Sequence, residues 1–240
     1  MAAGMAKQGL KPVFAVYSTF LQRSYDMLQH DVALLQLPVL LAVDRCGLVG
    51  PDGETHNGVF DVGFLRQVPG MEIWCPASYQ ELRDMLAEAL RYDGPSAVRY
   101  PKGSEGTYRE GGADSVRLLR EGRDLTILTY GTLVNETLRA AELLEREGVS
   151  AGVVKLGRIA PLDLQALDSL TADTGGLLVV EECAAAGSVG ETLALHMAAR
   201  PCLALNLGDG IVRQGTQAQQ RRRAGIDAEA IVRAAKGMKP

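Results

Sequence analysis

The 240-residue sequence has no apolar run approaching the roughly 18 residues that a helix needs to cross a bilayer, so a membrane protein is not expected. It has no charged amino-terminal segment leading into an apolar core, so neither is a secretory signal. Basic residues are in no excess: 25 Lys and Arg face 29 Asp and Glu, a formal charge of −4. That balance argues against a general binder of nucleic acid or anionic membrane, and leaves room for a local basic pocket. The four cysteines, Cys46, Cys75, Cys183 and Cys202, are scattered, with no Cys-x-x-Cys pair. Each adjoins an apolar segment, so buried, reduced thiols of a cytoplasmic protein are expected rather than a metal or redox site. Repeats and low-complexity stretches are missing too.

What is present is the composition of a folded globular protein, 47% hydrophobic and 22% charged, long enough for one large or two ordinary domains. Pro12–Tyr17 reads as a short strand, and Phe20 to Leu35 carries helical apolar spacing. Pro38–Val43 is a continuous apolar run, as expected for a parallel strand covered on both faces. A Gly-rich loop follows from Gly47 to Gly58, then a strand over Met71–Cys75. Ser78 and Glu81 form a capping-box pattern at the start of a helix running to Leu90. Ser96–Tyr100 reads as a strand ending at Pro101. The charged, Gly-containing stretch from Gly103 to Arg123 reads as a linker. The pattern then restarts with a strand over 125–129, a Gly131-Thr132 turn, a helix over 135–148, and strands over 151–156 and 176–180. Alternating strands and helices predict two doubly wound α/β domains with largely parallel sheets, at 1–108 and 123–240, joined by a linker at 109–122.

The chemistry-bearing residues lie at strand ends, where open α/β sheets build their sites. After Asp44-Arg45, the loop Cys46–Gly53 turns tightly and delivers Asp52 and His56 to one place. A neutral imidazole suits proton transfer to or from a substrate oxygen near neutral pH, and an adjacent carboxylate can fix its tautomer or bind a hydroxyl. Taken alone, the same residues read equally as a solvated Asp-Gly turn with an incidental histidine. Phe20 could stack on a flat heterocycle or fill the core. Arg23 could bind phosphate beside the helix amides or stand as a surface charge. Arg99 and Lys102 put two cations at the end of one strand, as a phosphate site or a salt-bridged edge. His30 and His196 read as satisfied surface or core residues.

Together these pieces form long motifs. Tyr17-Ser18-Thr19-Phe20-Leu21-Gln22-Arg23, Asp44–Gly50, Asp52–Asp61 and Gly94–Gly103 closely resemble the 1-deoxy-D-xylulose-5-phosphate synthase family, thiamin-diphosphate enzymes of the transketolase superfamily. Gly176–Glu182 and Arg213-Gln214-Gly215-Thr216-Gln217 extend the resemblance to nearly the whole chain. It implies the second, pyrimidine-binding domain of such an enzyme, without its start, followed by the third domain. Phe20 would then stack on the cofactor's aminopyrimidine, while Tyr17, Arg23, Arg99 and Lys102 would bind substrate and Asp52 and His56 would serve catalysis. Lys102 stands where the family commonly has Arg, which implies a weaker grip on phosphate because the bidentate geometry is lost.

The resemblance also implies what lies elsewhere. Met1-Ala2-Ala3-Gly4 falls just after the position of the family's activating Glu, and the diphosphate motif that holds Mg²⁺ has no counterpart. Gly208-Asp209-Gly210 lacks the downstream Asn and reads as a turn. The expectation is therefore a C-terminal section, inactive alone, that needs an N-terminal section to hold thiamin diphosphate and Mg²⁺. With it, pyruvate and glyceraldehyde 3-phosphate would be joined with loss of CO₂. Surfaces left uncovered would make the chain a homodimer or hetero-oligomer. The alternatives are a catalytically silent fragment or scaffold, or another transketolase or 2-oxo-acid dehydrogenase β-type subunit. The Tyr-Ser-Thr-Phe and Asp-Gly-Glu-Thr-His runs favour the synthase.

Overall fold

The computed structural model describes residues 1–238. The first half comprises α1 (Ala2–Lys7), β1 (Val13–Tyr17), α2 (Ser18–Leu21), α3 (Tyr25–Met27), β2 (Leu40–Asp44), α4 (Asp61–Leu65), β3 (Glu72–Trp74), α5 (Tyr79–Arg91) and β4 (Ser96–Arg99). The second comprises β5 (Val116–Arg120), β6 (Leu125–Tyr130), α6 (Val134–Arg146), β7 (Ala151–Leu156), β8 (Arg158–Ala160), α7 (Leu164–Thr171), β9 (Leu177–Val180), α8 (Val189–His196), β10 (Cys202–Leu205), α9 (Gln217–Ala224) and α10 (Ala228–Gly237).

Two five-stranded sheets result, in the orders β1-β2-β4-β3-β8 and β10-β9-β6-β7-β5. All pairings are parallel except β8 on β3 and β5 on β7. The apolar run at 38–43 becomes β2, whose Leu40, Leu41, Ala42 and Val43 are buried between β1 and β4. β6 and β7 are buried along their whole length, as central strands covered on both faces must be. The predicted α/β class with mostly parallel sheets is the observed one.

Several elements differ in detail from the expectations. The helical segment after β1 breaks into α2, α3 and short 3₁₀ and π turns down to Leu35, ending where Gln36 takes a left-handed conformation. At α5 the Ser78 hydroxyl accepts from Glu81 N–H at 3.0 Å, as a cap should, but the Glu81 carboxylate takes the amide of Ala77 rather than that of Ser78. Glu81 is drawn there by two further partners, Tyr108 Oη at 2.8 Å and the buried Lys155 ammonium at 2.9 Å. The stretch expected as linker contains β5. Its charges mark an edge strand rather than a loop, with Arg117 held by Asp114 and Glu110 and Arg120 by Glu145. Gly208–Gly210 is a turn, with Asn206 Oδ1 accepting from Gly208 N–H.

The two halves interlock. β8 follows the second sheet's β7 in sequence yet completes the edge of the first sheet on β3. Lys155 on β7 meets Glu81 on α5, and Arg66 after α4 donates to the carbonyls of Gly187 and Ser188 before α8.

Candidate functional site

The site forms at the C-terminal ends of β1, β2 and β4. Tyr17 closes β1 in an extended conformation, and the chain turns at once into α2, which raises Phe20 beside it. The two rings stack with centroids 5.6 Å apart and planes within 15°. Phe20 stays 40% exposed although it is a large apolar side chain. The His56 ring meets it edge-on at 5.6 Å, and the Arg23 guanidinium lies 5.9 Å from its centroid. Thr19 Oγ1 donates to the Thr55 carbonyl at 3.0 Å and ties the two segments together, while Thr55 Oγ1 lies 2.9 Å from His56 Nδ1.

The loop after β2 needs glycine where it turns. Gly47, Gly50 and Gly53 all have φ between 66° and 84°. Arg45 adopts φ 59° without being glycine, a conformation that costs backbone energy and sets its guanidinium 3.9 Å over the Tyr17 ring. It pairs with Asp44, and its Nε, 3.8 Å from Asp52, is a buried donor without a hydrogen-bond acceptor. Asp52 is gripped by the Lys102 ammonium from the loop after β4. The hydrogen bond from Lys102 leads in holding the Asp52 carboxyl below the usual carboxylate range. The charges of Lys102, Arg45 and His56 add to it against partial desolvation. Asp44, Arg45 and Lys102 also line a cleft of about 390 Å³ that extends past Ser78 and Tyr79 to Thr132.

The structure thus brings Tyr17, Phe20, Arg23, Asp52, His56 and Lys102 into one neighbourhood. Arg99 is set apart. Only 6% exposed, it points inward and donates from Nε and Nη2 to the fully buried Asp61 at 2.9 and 3.1 Å, with Tyr130 of the second half over its guanidinium. Of its two readings at the strand end, the geometry is that of a salt bridge, placed in the interior. His30 pairs with Asp26 and His196 with Asp168 at the surface. Cys46, Cys75 and Cys183 are buried, and burial raises all three thiols, Cys75 to about 12, so they remain protonated.

Reading the sequence missed two contributions. Arg45 was visible only as a strand-end cation. The second half's grip on the site loop was not assigned, although Gln214 and Gln217 of the matching run 213–217 supply part of it. Gln214 Nε2 donates to Pro51 O, Asn57 Nδ2 to Val212 O, and the buried Gln220 accepts from Gly50 N–H at 3.0 Å. The signal was a run of glutamines opening a helix too polar to be core.

Comparison with known proteins agrees with this architecture. Residues 1–106 match the transketolase pyrimidine binding domain and residues 114–231 the transketolase C-terminal domain. Over 241 residues the chain is 46% identical to a 1-deoxy-D-xylulose-5-phosphate synthase of Thermomicrobium roseum, with 44% identity to that of Chlorobium phaeovibrioides and 42% to that of Heliobacterium modesticaldum. These alignments take in 96%, 96% and 98% of this chain but 38% of each relative, so the chain spans little more than a third of their length. A solved structure described as a split gene transketolase, inactive beta4 tetramer, superposes with a TM-score of 0.85 over 99% of this chain and 79% of its own, at 24% identity, and shares the fold. With two transketolase domains in succession over nearly its full length, the chain belongs to the transketolase family and is similar to the C-terminal part of its 1-deoxy-D-xylulose-5-phosphate synthases.

Proposed function

We propose that this chain is the acceptor-binding and pyrimidine-binding section of a thiamin-diphosphate-dependent 1-deoxy-D-xylulose-5-phosphate synthase, active only with an N-terminal section that holds the diphosphate and Mg²⁺. The observation that carries the reading is an open aromatic face, Phe20 on Tyr17, bordered by an imidazole and by an anion–cation pair. An exposed flat ring at a strand end is what an aminopyrimidine would stack on, so the residues present fit the cofactor's ring. When bound, thiamin diphosphate supplies the chemistry that removes CO₂ from a 2-oxo acid and passes the remaining two carbons to an aldehyde.

The chain's own groups have complementary tasks. His56, steadied through Nδ1 by Thr55, offers Nε2 to move a proton at the acceptor's carbonyl oxygen. Asp52, kept ionised by Lys102, accepts a hydrogen bond from a substrate hydroxyl. Lys102 and Arg45, with Arg23 farther out, provide the cations for a phosphate such as that of glyceraldehyde 3-phosphate. Arg99 holds the β4 end in place from beneath through Asp61.

The same reading includes association. β1 is an unpaired sheet edge whose Val13 and Phe14 are 53% and 42% exposed, beside an apolar groove of about 360 Å³ also lined by Met5 and Met27. Apolar edges of this kind mark surfaces that are covered in an assembly. The test is calorimetric titration of thiamin diphosphate with Mg²⁺ into the chain alone and with an N-terminal section, followed by product detection from pyruvate and glyceraldehyde 3-phosphate. Binding and turnover only in the mixture are expected. No binding in either case would leave the silent-fragment reading, and tight binding to the chain alone would refute the assignment.

A further inference from the structure

The Asp52–Lys102 pair joins two loops that leave neighbouring strands and are tied at their base, where Cys46 N–H donates to Tyr100 O at 3.0 Å. Asp52 belongs to the loop after β2 and Lys102 to the loop after β4, and their backbones are met by one side chain from the other half of the protein. Gln217, the first residue of α9, donates from Nε2 to Leu48 O at 2.7 Å and to Lys102 O at 3.2 Å. Gly50 and Gly103, one in each loop, lie against it, and both take positive φ, 66° and 108°, as the turns around it require. Gln220, one turn on and fully buried, accepts from Gly50 N–H at 3.0 Å and fixes the first loop against the same helix. The start of α9 is itself rigid, because Thr216 and Gln219 close a complete capping box.

We propose that Gln217 is a positioning residue: its amide, donating to one carbonyl in each loop, sets the separation of Asp52 and Lys102 and thereby the grip of the site on an anionic acceptor. The inference rests on the functional reading for its consequence and on this chain's own geometry for its cause. A side-chain amide has two N–H donors, so a single Gln can hold two acceptors at once, whereas an apolar side chain of the same length can hold neither. Loss of both bonds frees the loops to part beyond the Cys46–Tyr100 backbone bond at their base, and Asp52 then loses its nearest cation while Arg45, Asp44 and His56 stay on its own side.

The experiment follows the Asp52 carboxyl carbon by NMR across acidic pH in this chain, in the wild type, Gln217→Met and Thr216→Ala. Thr216→Ala weakens the same helix start but removes neither loop contact. The expected result is a wild-type carboxyl titrating below the ordinary 3.8 and displaced upward in Gln217→Met, while Thr216→Ala keeps the wild-type value. Gln217→Asn, whose shorter side chain reaches neither carbonyl, serves if the Met variant does not fold. In the enzyme assembled with an N-terminal section, Gln217→Met raises KM for the phosphorylated aldehyde about tenfold while kcat stays within about twofold, the scale of one lost interaction in binding. An unmoved Asp52 titration in Gln217→Met, or an equal displacement in Thr216→Ala, overturns the proposal. If the wild-type assembly makes no product, the functional reading fails by itself and the titration still decides the role of Gln217.

Discussion

Replacing Asp61 by Ala tests the placing of Arg99 most directly. Arg99 is 6% exposed and Asp61 fully buried, and two hydrogen bonds join them. Asp61→Ala would leave a guanidinium enclosed by Cys46, Cys75 and Tyr130 with no carboxylate facing it, a loss that costs about 3–5 kcal/mol. Replacing both partners by apolar residues, Asp61→Leu with Arg99→Met, removes the charge and its counter-charge together and costs far less than the single change. With a urea slope of roughly 3 kcal/mol per molar for a chain of this size, Asp61→Ala should lower the urea midpoint by about 1–1.7 M. Trp74, the single tryptophan, lies on β3 in the same sheet and reports unfolding of that half. The double variant should recover most of the lost midpoint. A single-variant shift under about 0.3 M, or a double variant no better than the single, would refute the assignment of Arg99 to the buried framework.

Further outcomes follow from the same geometry. Lys102→Arg restores a planar fork at the acceptor end, and KM for the phosphorylated aldehyde in the assembled enzyme should fall about threefold to tenfold; steady-state kinetics with the two variants decides it. Because Lys102 holds the Asp52 carboxyl low, its stabilising contribution is complete above the unfolded value near 3.8 and is lost only as pH falls through the folded value. The gap in melting temperature between wild type and Asp52→Asn should therefore be present at about pH 5 and above and close below that; closure already above pH 5 would contradict the pairing. Ser78→Ala removes both a helix cap and a hydroxyl donor to Glu110 O, and should cost about 1–2 kcal/mol in chemical denaturation.

Much of the fold was legible because local chemistry and tertiary context agree there. The unbroken run at 38–43 could only be a strand buried on both faces, and Ser78 caps the helix its spacing announces. β5 was missed because an edge strand carries charge for the same reason a linker does, to stay solvated. β8 was missed because a three-residue strand has no periodicity to read, and its pairing partners lie far back in the chain, Ile73 opposite Ala160 and Trp74 opposite Arg158. At the site, residues grouped by sequence motif were found grouped in space, except Arg99, whose direction is set by Asp61, 38 residues earlier. Gln217 and Gln220 of α9 show the opposite limit. Their partners are main-chain carbonyls and amides, which no side-chain pattern encodes.

The placement of β8 also constrains how such a chain can be divided. A break before β5, within 109–115, would look harmless, since it falls between two sheets. It would nonetheless separate β3 from the strand that covers its edge, and Glu81 from the ammonium it was buried with. Each piece would then expose to water a strand edge or a charge that is buried in the intact chain. The two halves thus share a strand pairing and a buried ion pair, and rearrangement of the gene within this section should be far less tolerated than the compositional seam suggests.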